Sequence, residues 1–310
     1  MNKKNVYQNP IYPDVADPFI LLHEGQYYLY GTTSPKEGYK VFQSSDLVHW
    51  EDKGFCLKKG DVKGEVIPIP QQEGSYFGFW APEIIFYHGT FYMTYTVDDH
   101  IGIAVSKSPL GPFTQEKKQW IFEKNAIDGH FFVDEDDSVY LLYRWREVDR
   151  IAGVKMNADM CSVDESTTKI LLAPGEYPWE EAVKGIIGIE GPFLLRHKGY
   201  YYLSYSANDC ANPYYSVGYA VSDSPLGEYK KFENNPILSK TDFVHGTGHH
   251  SFFTSKNGNL VCVYHRHFNT STPYPRSACV DRAAFVPAKD GEPDILTIYG
   301  PTHEETPVID

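Results

Sequence analysis

Long hydrophobic runs are missing from this 310-residue chain, which excludes a helical membrane span. The positively charged start Met1-Asn2-Lys3-Lys4 is not followed by an apolar stretch, so no signal peptide is expected. Cysteine is scarce and odd in number. Cys56, Cys161, Cys210, Cys262 and Cys279 are scattered and form no Cys-x-x-Cys pair, which predicts free thiols. These absences together make the cytoplasm the expected compartment. No cluster of Lys and Arg offsets the net charge of −13, so a nucleic-acid partner is not expected and a neutral or cationic small molecule is. Amphipathic helices are almost absent too; residues 177–183 could make one turn.

What is present is a chain able to bury a core, with 42% hydrophobic and 22% charged residues. Its 24 Tyr and 18 Phe favour a β-rich fold, because aromatic side chains suit pleated surfaces. A sugar-binding surface is the other use of so many rings. Repeats support the β reading. Val105-Ser-Lys-Ser-Pro-Leu-Gly-Pro-Phe113 and Val221-Ser-Asp-Ser-Pro-Leu-Gly-Glu-Tyr229 lie 116 residues apart, and Ser44-Ser-Asp-Leu-Val-His-Trp50 is a third relative. Between them an apolar strand, a turn and an aromatic strand recur five times, beginning at Asp17, Pro82, Asp128, Gly191 and His250. The turns, such as His-Glu-Gly and His-Lys-Gly, are hairpin chemistry. Five copies with outer strands predict an all-β, five-bladed β-propeller of about sixty residues per blade. A β-sandwich would not explain five similar copies. No linker breaks the chain, so residues 1–310 are expected to form one domain.

Aligning the copies on the turn glycine makes Pro18, Pro82, Pro192 and Ser251 equivalent, each seven residues before its glycine. Blade three has a longer turn and is aligned only to within one residue. One position per blade, at the entrance of the innermost strand, then supplies Asp17, Trp80, Asp128, Glu190 and His249. Such a site in a β core is ordinarily apolar, so three carboxylates, an indole and an imidazole there are candidates for function. A single Asp-Pro is an ordinary turn pair, and Asp14 is a nearby rival to Asp17. Glycoside hydrolysis fits the set: it needs one protonated acid and one ionised carboxylate, and a third carboxylate can tune the acid. The face of Trp80 can stack on a sugar or simply pack the channel.

These residues resemble glycoside hydrolase family 43. The similar stretches are Asn9-Pro-Ile-Tyr-Pro-Asp-Val-Ala-Asp-Pro18, Trp80-Ala-Pro-Glu83, Ile127-Asp-Gly-His-Phe-Phe-Val-Asp-Glu-Asp136, Ile189-Glu-Gly-Pro192 and Gly246-Thr-Gly-His-His-Ser251, in the family's order and over nearly the whole chain. The resemblance implies an inverting hydrolase. Asp17 would be the general base, Glu190 the general acid, and Asp128 the carboxylate that orients Glu190. His249 matches the family's axial histidine, beside a calcium ion expected to be mostly water-bound; a histidine hydrogen-bonded in the channel is the alternative. Arg276 has the spacing of a substrate-contacting arginine, or makes a surface salt bridge. Ala16-Asp17-Pro18 departs mildly from the family's frequent Pro-Asp-Pro. The substrate expected is an oligosaccharide, hydrolysed by an exo-acting β-xylosidase or α-L-arabinofuranosidase. An endo-acting arabinanase or xylanase and a non-catalytic sugar-binding propeller are the rivals. A family 32 fructosidase is disfavoured because no Asn-Asp-Pro-Asn run occurs. Loops at residues 35–39, 58–74 and 208–215 are the candidates to close the pocket.

Overall fold

The computed structural model describes residues 6–70, 75–185, 188–289 and 291–309. Its strands form five antiparallel blades. Four have four strands each, with innermost strands Ala16–His23, Ala126–Val133, Ile189–His197 and Gly248–Thr254. The second blade has three, Trp80–Tyr87, Thr90–Val97 and His100–Ser106, and a single bridge from Val105 to Thr114 stands where a fourth would run. No α-helix occurs among the described residues; the helical turn expected near residue 177 is the 3-10 helix Pro178–Glu181. The repeated Ser-Pro-Leu-Gly segments are the turns that follow the third strands of blades two and four.

Burial explains the aromatic content. Five apolar clusters lie one between each pair of neighbouring blades, and the last joins Phe253, Val261 and Val263 of blade five to Ile20, Tyr27 and Leu29 of blade one. Ten tyrosines are among the largest fully buried side chains, so most rings serve the blade-to-blade core. The ring is also clasped by the N-terminal segment: Val6–Tyr7 pairs with Thr306–Pro307, and the Asn9 amide exchanges two hydrogen bonds with Val280 of blade five. All five cysteines are free. No helix of the described residues is long and apolar enough to cross a membrane.

The strand register corrects the single ring expected from the turn glycines. Every innermost strand carries a one-residue bulge near its start, between Ala16 and Phe19, Trp80 and Glu83, Ile127 and His130, Glu190 and Phe193, and Gly248 and Ser251. Asp17, Ala81, Asp128, Gly191 and His249 therefore occupy one equivalent position, while Trp80 and Glu190 sit one residue earlier, level with Ala16, Ile127 and Gly248. The turn alignment failed in blade five because residues 255–259 make a longer loop there than the two-residue turns at Glu24-Gly25, His88-Gly89 and Lys198-Gly199. All five residues of the equivalent ring have a left-handed backbone, with φ between 43° at Ala81 and 58° at Asp128. Glycine adopts this freely and aspartate tolerates it; Ala81 and His249 do so at a cost of about 1–3 kcal/mol each. Pro18, Pro82 and Pro192 follow directly, where the bulge leaves no ladder bond for a missing N–H to break.

Candidate active site

A bulged residue has no partner for its N–H in its own sheet, and a buried N–H must find one. The neighbouring blade supplies it. The residue of the second strand opposite the pre-bulge position is Thr32, Thr96, Arg144, Ser206 and His265 in blades one to five. Thr32 Oγ1 accepts from Ala81 N at 2.9 Å, Thr96 Oγ1 from Asp128 N at 3.3 Å, Ser206 Oγ from His249 N at 2.8 Å, and His265 Nδ1 from Asp17 N at 3.2 Å. These bonds fix the height of the bulged residues and aim them at the channel. There Asp17, Asp128 and His249 line a cavity of about 1000 Å³.

Asp17 is buried in its wall. Its Oδ1 is 2.8 Å from Arg276 Nη1 and 3.5 Å from His249 Nδ1, and its Oδ2 accepts from Thr32 Oγ1 at 2.6 Å. Burial would raise its pKa, but Arg276, His249 and His265 outweigh burial and hold the carboxyl well below the usual range. Asp17 is thus an ionised base. Arg276 is not on the surface: its guanidinium is buried against Asp17, and the ring of Tyr274 lies 5.7 Å away. Burial, reinforced by Arg276, keeps His265 neutral with a pKa of about 3, as a ring accepting at Nδ1 must be.

Across the cavity, Glu190 Oε2 is 2.5 Å from Arg144 Nη1, and Oε1 accepts from Tyr215 Oη at 2.7 Å. Burial pushes its pKa up, yet Arg144, His249 and the Tyr215 hydroxyl bring it below the ordinary value. Tyr215 reaches Glu190 across Gly248, where a Cβ would stand 2.3 Å from its ring. Asp128 Oδ2 accepts from Gly191 N at 3.1 Å. Burial, then the negative charge of Glu190, pushes Asp128 up to about 6 against the pull of His249. The site therefore holds two carboxylates of depressed proton affinity, Asp17 and Glu190, and one of raised affinity, Asp128. Burial alone would discharge His249, but Asp17, Asp128 and Glu190 raise its pKa instead.

All six residues expected from the sequence line this cavity: Asp17, Trp80, Asp128, Glu190, His249 and Arg276. Asp14 also lines it, but among the described residues no cation is paired with it, unlike Asp17. Each proposed closing loop contributes to the wall, through Pro35 to Glu37, Ile69 and Asn208 to Cys210; residues 71–74 of the second loop lie outside the described residues. Arg144, Tyr215, His265 and Thr32 were not anticipated. The signal for Thr32, Arg144 and His265 is the second-strand register, which shows only once the bulges are counted; Tyr215, just before the third strand of blade four, carries no such signal. Among the described residues no group of three or more His, Cys, Asp and Glu side chains could hold a metal ion. A lone histidine is a poor partner for calcium, which prefers oxygen ligands, so a calcium ion beside His249 would have to draw most of its ligands from water.

The family model for glycosyl hydrolases family 43 matches residues 7–293. A β-D-galactofuranosidase of Aspergillus niger is 27% identical over 94% of this chain and 86% of its own length. A xylosidase/arabinosidase of Butyrivibrio fibrisolvens is 30% identical over 84% of this chain, which spans only 49% of that protein. The crystal structure of an endo-1,4-β-xylanase from Bacteroides thetaiotaomicron superposes with a TM-score of 0.84 at 33% identity, covering 96% of this chain and 98% of that one.

Proposed function

The chain belongs to glycosyl hydrolases family 43, and from that premise we propose that it is an inverting exo-glycosidase of the β-xylosidase or α-L-arabinofuranosidase type. The observation that carries the reading is the set of three buried carboxylates facing one cavity, with Asp17 held ionised by Arg276 and His249, and Glu190 and Asp128 close enough for the charge of Glu190 to raise the proton affinity of Asp128. Asp17 takes a proton from the attacking water as its oxygen bonds to the anomeric carbon. Glu190 gives a proton to the glycosidic oxygen as that carbon–oxygen bond breaks. Asp128, tied to the Gly191 N–H, raises the proton affinity of its partner through like charge. Arg144 and Arg276, helped by the raised proton affinity of His249, offset the carboxylates, so the pocket suits an uncharged sugar. Trp80 and Arg276 are its proposed contacts. A calcium ion below the sugar would be carried almost wholly by water. The unpaired thiols support the cytoplasmic placement.

Hydrolysis of aryl β-xylosides and α-L-arabinofuranosides, with and without EDTA, tests the reading. Asp17→Asn and Glu190→Gln are each expected to lose about 10²–10⁴-fold in kcat, whereas EDTA changes activity only if the hydrated ion is needed. Undiminished turnover in both variants contradicts the assignment. The endo reading is supported by the Bacteroides neighbour, an endo-1,4-β-xylanase, and by a cavity at the large end of the range for small-ligand sites. Monosaccharide as the first product of xylan and arabinan oligomers favours exo action; a ladder of longer products favours endo.

A further inference from the structure

Four blades close the ring of bulges with a side-chain acceptor on the second strand, and blade three does not. Arginine has only donors and cannot accept the Gly191 N–H. That N–H goes instead to Asp128 Oδ2 at 3.1 Å. Arg144, relieved of the ring, turns into the cavity, where Nη1 meets Glu190 Oε2 at 2.5 Å and Nη2 meets Asp149 Oδ1 at 2.8 Å. Asp149 is itself set by a left-handed backbone, φ 50°, after the short helix Arg146–Val148. A planar fork held at both ends fixes one rotamer of the carboxylate it grips.

We infer that Arg144 is a positioning residue for the general acid: its place in the ring of second-strand residues both fixes Glu190 and obliges Asp128 to stand beside it on the Gly191 N–H. The inference rests on the roles proposed above for Glu190 and Asp128. Glu190 is faced by Arg144 and Asp128 from blade three, His249 from blade five, Asp17 from blade one, and Tyr215 and Cys210 from its own blade. Arg144 is the nearest cation among them, and its pull on the Glu190 proton is the largest that opposes burial. Without it Glu190 holds its proton to higher pH, and its side chain is free to turn.

The test compares Arg144→Thr, Arg144→Met and Arg144→Lys with Glu190→Gln. The readouts are kcat/KM against pH on phenyl and dinitrophenyl glycosides, and the melting temperature. Loss of Arg144 is expected to move the basic limb for the phenyl substrate upward by about one pH unit or more, in Thr and Met alike. The lysine variant keeps the charge and so keeps the basic limb near wild type, while losing the fork that holds the Glu190 rotamer. The dinitrophenyl substrate, whose leaving group needs no proton, shows little change in any of them. Arg144→Thr restores a hydroxyl acceptor for Gly191 N and is expected to melt close to wild type, so it decides the question even if Arg144→Met folds poorly. An unmoved basic limb in the Thr and Met variants, while Glu190→Gln still spares the dinitrophenyl substrate, overturns the role of Arg144 alone. A melting temperature for Arg144→Thr well below that of Arg144→Met contradicts the ring argument. Equal losses on both leaving groups in Glu190→Gln overturn the acid assignment and the inference with it.

Discussion

In blade four, Lys231 lies on Glu180; at the head of the channel, Arg276 lies on Asp17. Both pairs are buried and both are completed by hydrogen bonds. Glu180 accepts from Lys231 Nζ at 2.7 Å, from Tyr205 Oη at 2.7 Å and from Glu176 N at 2.8 Å, while Lys231 also donates to Ala173 O at 2.7 Å. Glu180 is fully enclosed and the pair is not among the residues lining the central cavity; it pins the turn Pro178–Glu181 to the fourth blade. Arg276 and Asp17 have the same chemistry but open on the cavity, on a residue held at φ 50° and flanked by two histidines. Burial of a charge pair thus marks stability in one place and chemistry in the other. What separates them is the void beside the pair and the backbone strain beneath it.

The comparison breaks most sharply by removing each cation. Lys231→Met should cost about 3–5 kcal/mol by stranding Glu180, read as a fall in denaturant midpoint, with the pH profile of the remaining folded enzyme unchanged. Arg276→Met should instead lower activity. It removes the largest influence holding the Asp17 proton affinity down, so the acidic limb of kcat/KM should move to higher pH. If the two variants exchange these signatures, the distinction is wrong. A smaller effect separates Asp17 from Asp128. The depressed Asp17 stabilises the fold above its unfolded pKa, and that contribution is lost as pH falls. Asp128, raised to about 6, does the opposite: its contribution is full below the unfolded value of 3.8 and is lost as pH rises through about 6. Asp128→Asn keeps an acceptor for Gly191 N without the charge. It should melt higher than wild type near neutral pH and no higher near pH 4, measured by thermal melts across that range.

Much of this was legible in the sequence. The five blades follow from repeated hairpins, and Asp17 and Asp128 stood out as polar residues at a repeated apolar position. The bulge was not legible, because an extra residue in one strand leaves no compositional trace, and the five-residue turn of blade five shifted the alignment there. Glu190 and Trp80 were placed level with Asp17, although the aligned prolines Pro18, Pro82 and Pro192 put them one residue earlier, because the functional residue was sought within the two positions before each proline. Arg144 was missed for a related cause. An arginine ending an aromatic strand, in Tyr143-Arg144-Trp145, reads as an exposed strand end; only the equivalence with Thr32, Thr96, Ser206 and His265 shows that it replaces an acceptor. Lys231 and Glu180 were invisible because nothing local distinguishes a buried charge from a surface one.

The most direct measurement is the anomeric configuration of the first sugar released, followed by proton NMR before mutarotation. With Asp17 directing water to the face opposite the bond that Glu190 protonates, a β-xyloside should yield α-xylose first. Release of β-xylose first would mean a covalent intermediate, and would contradict the roles given to Asp17 and Glu190.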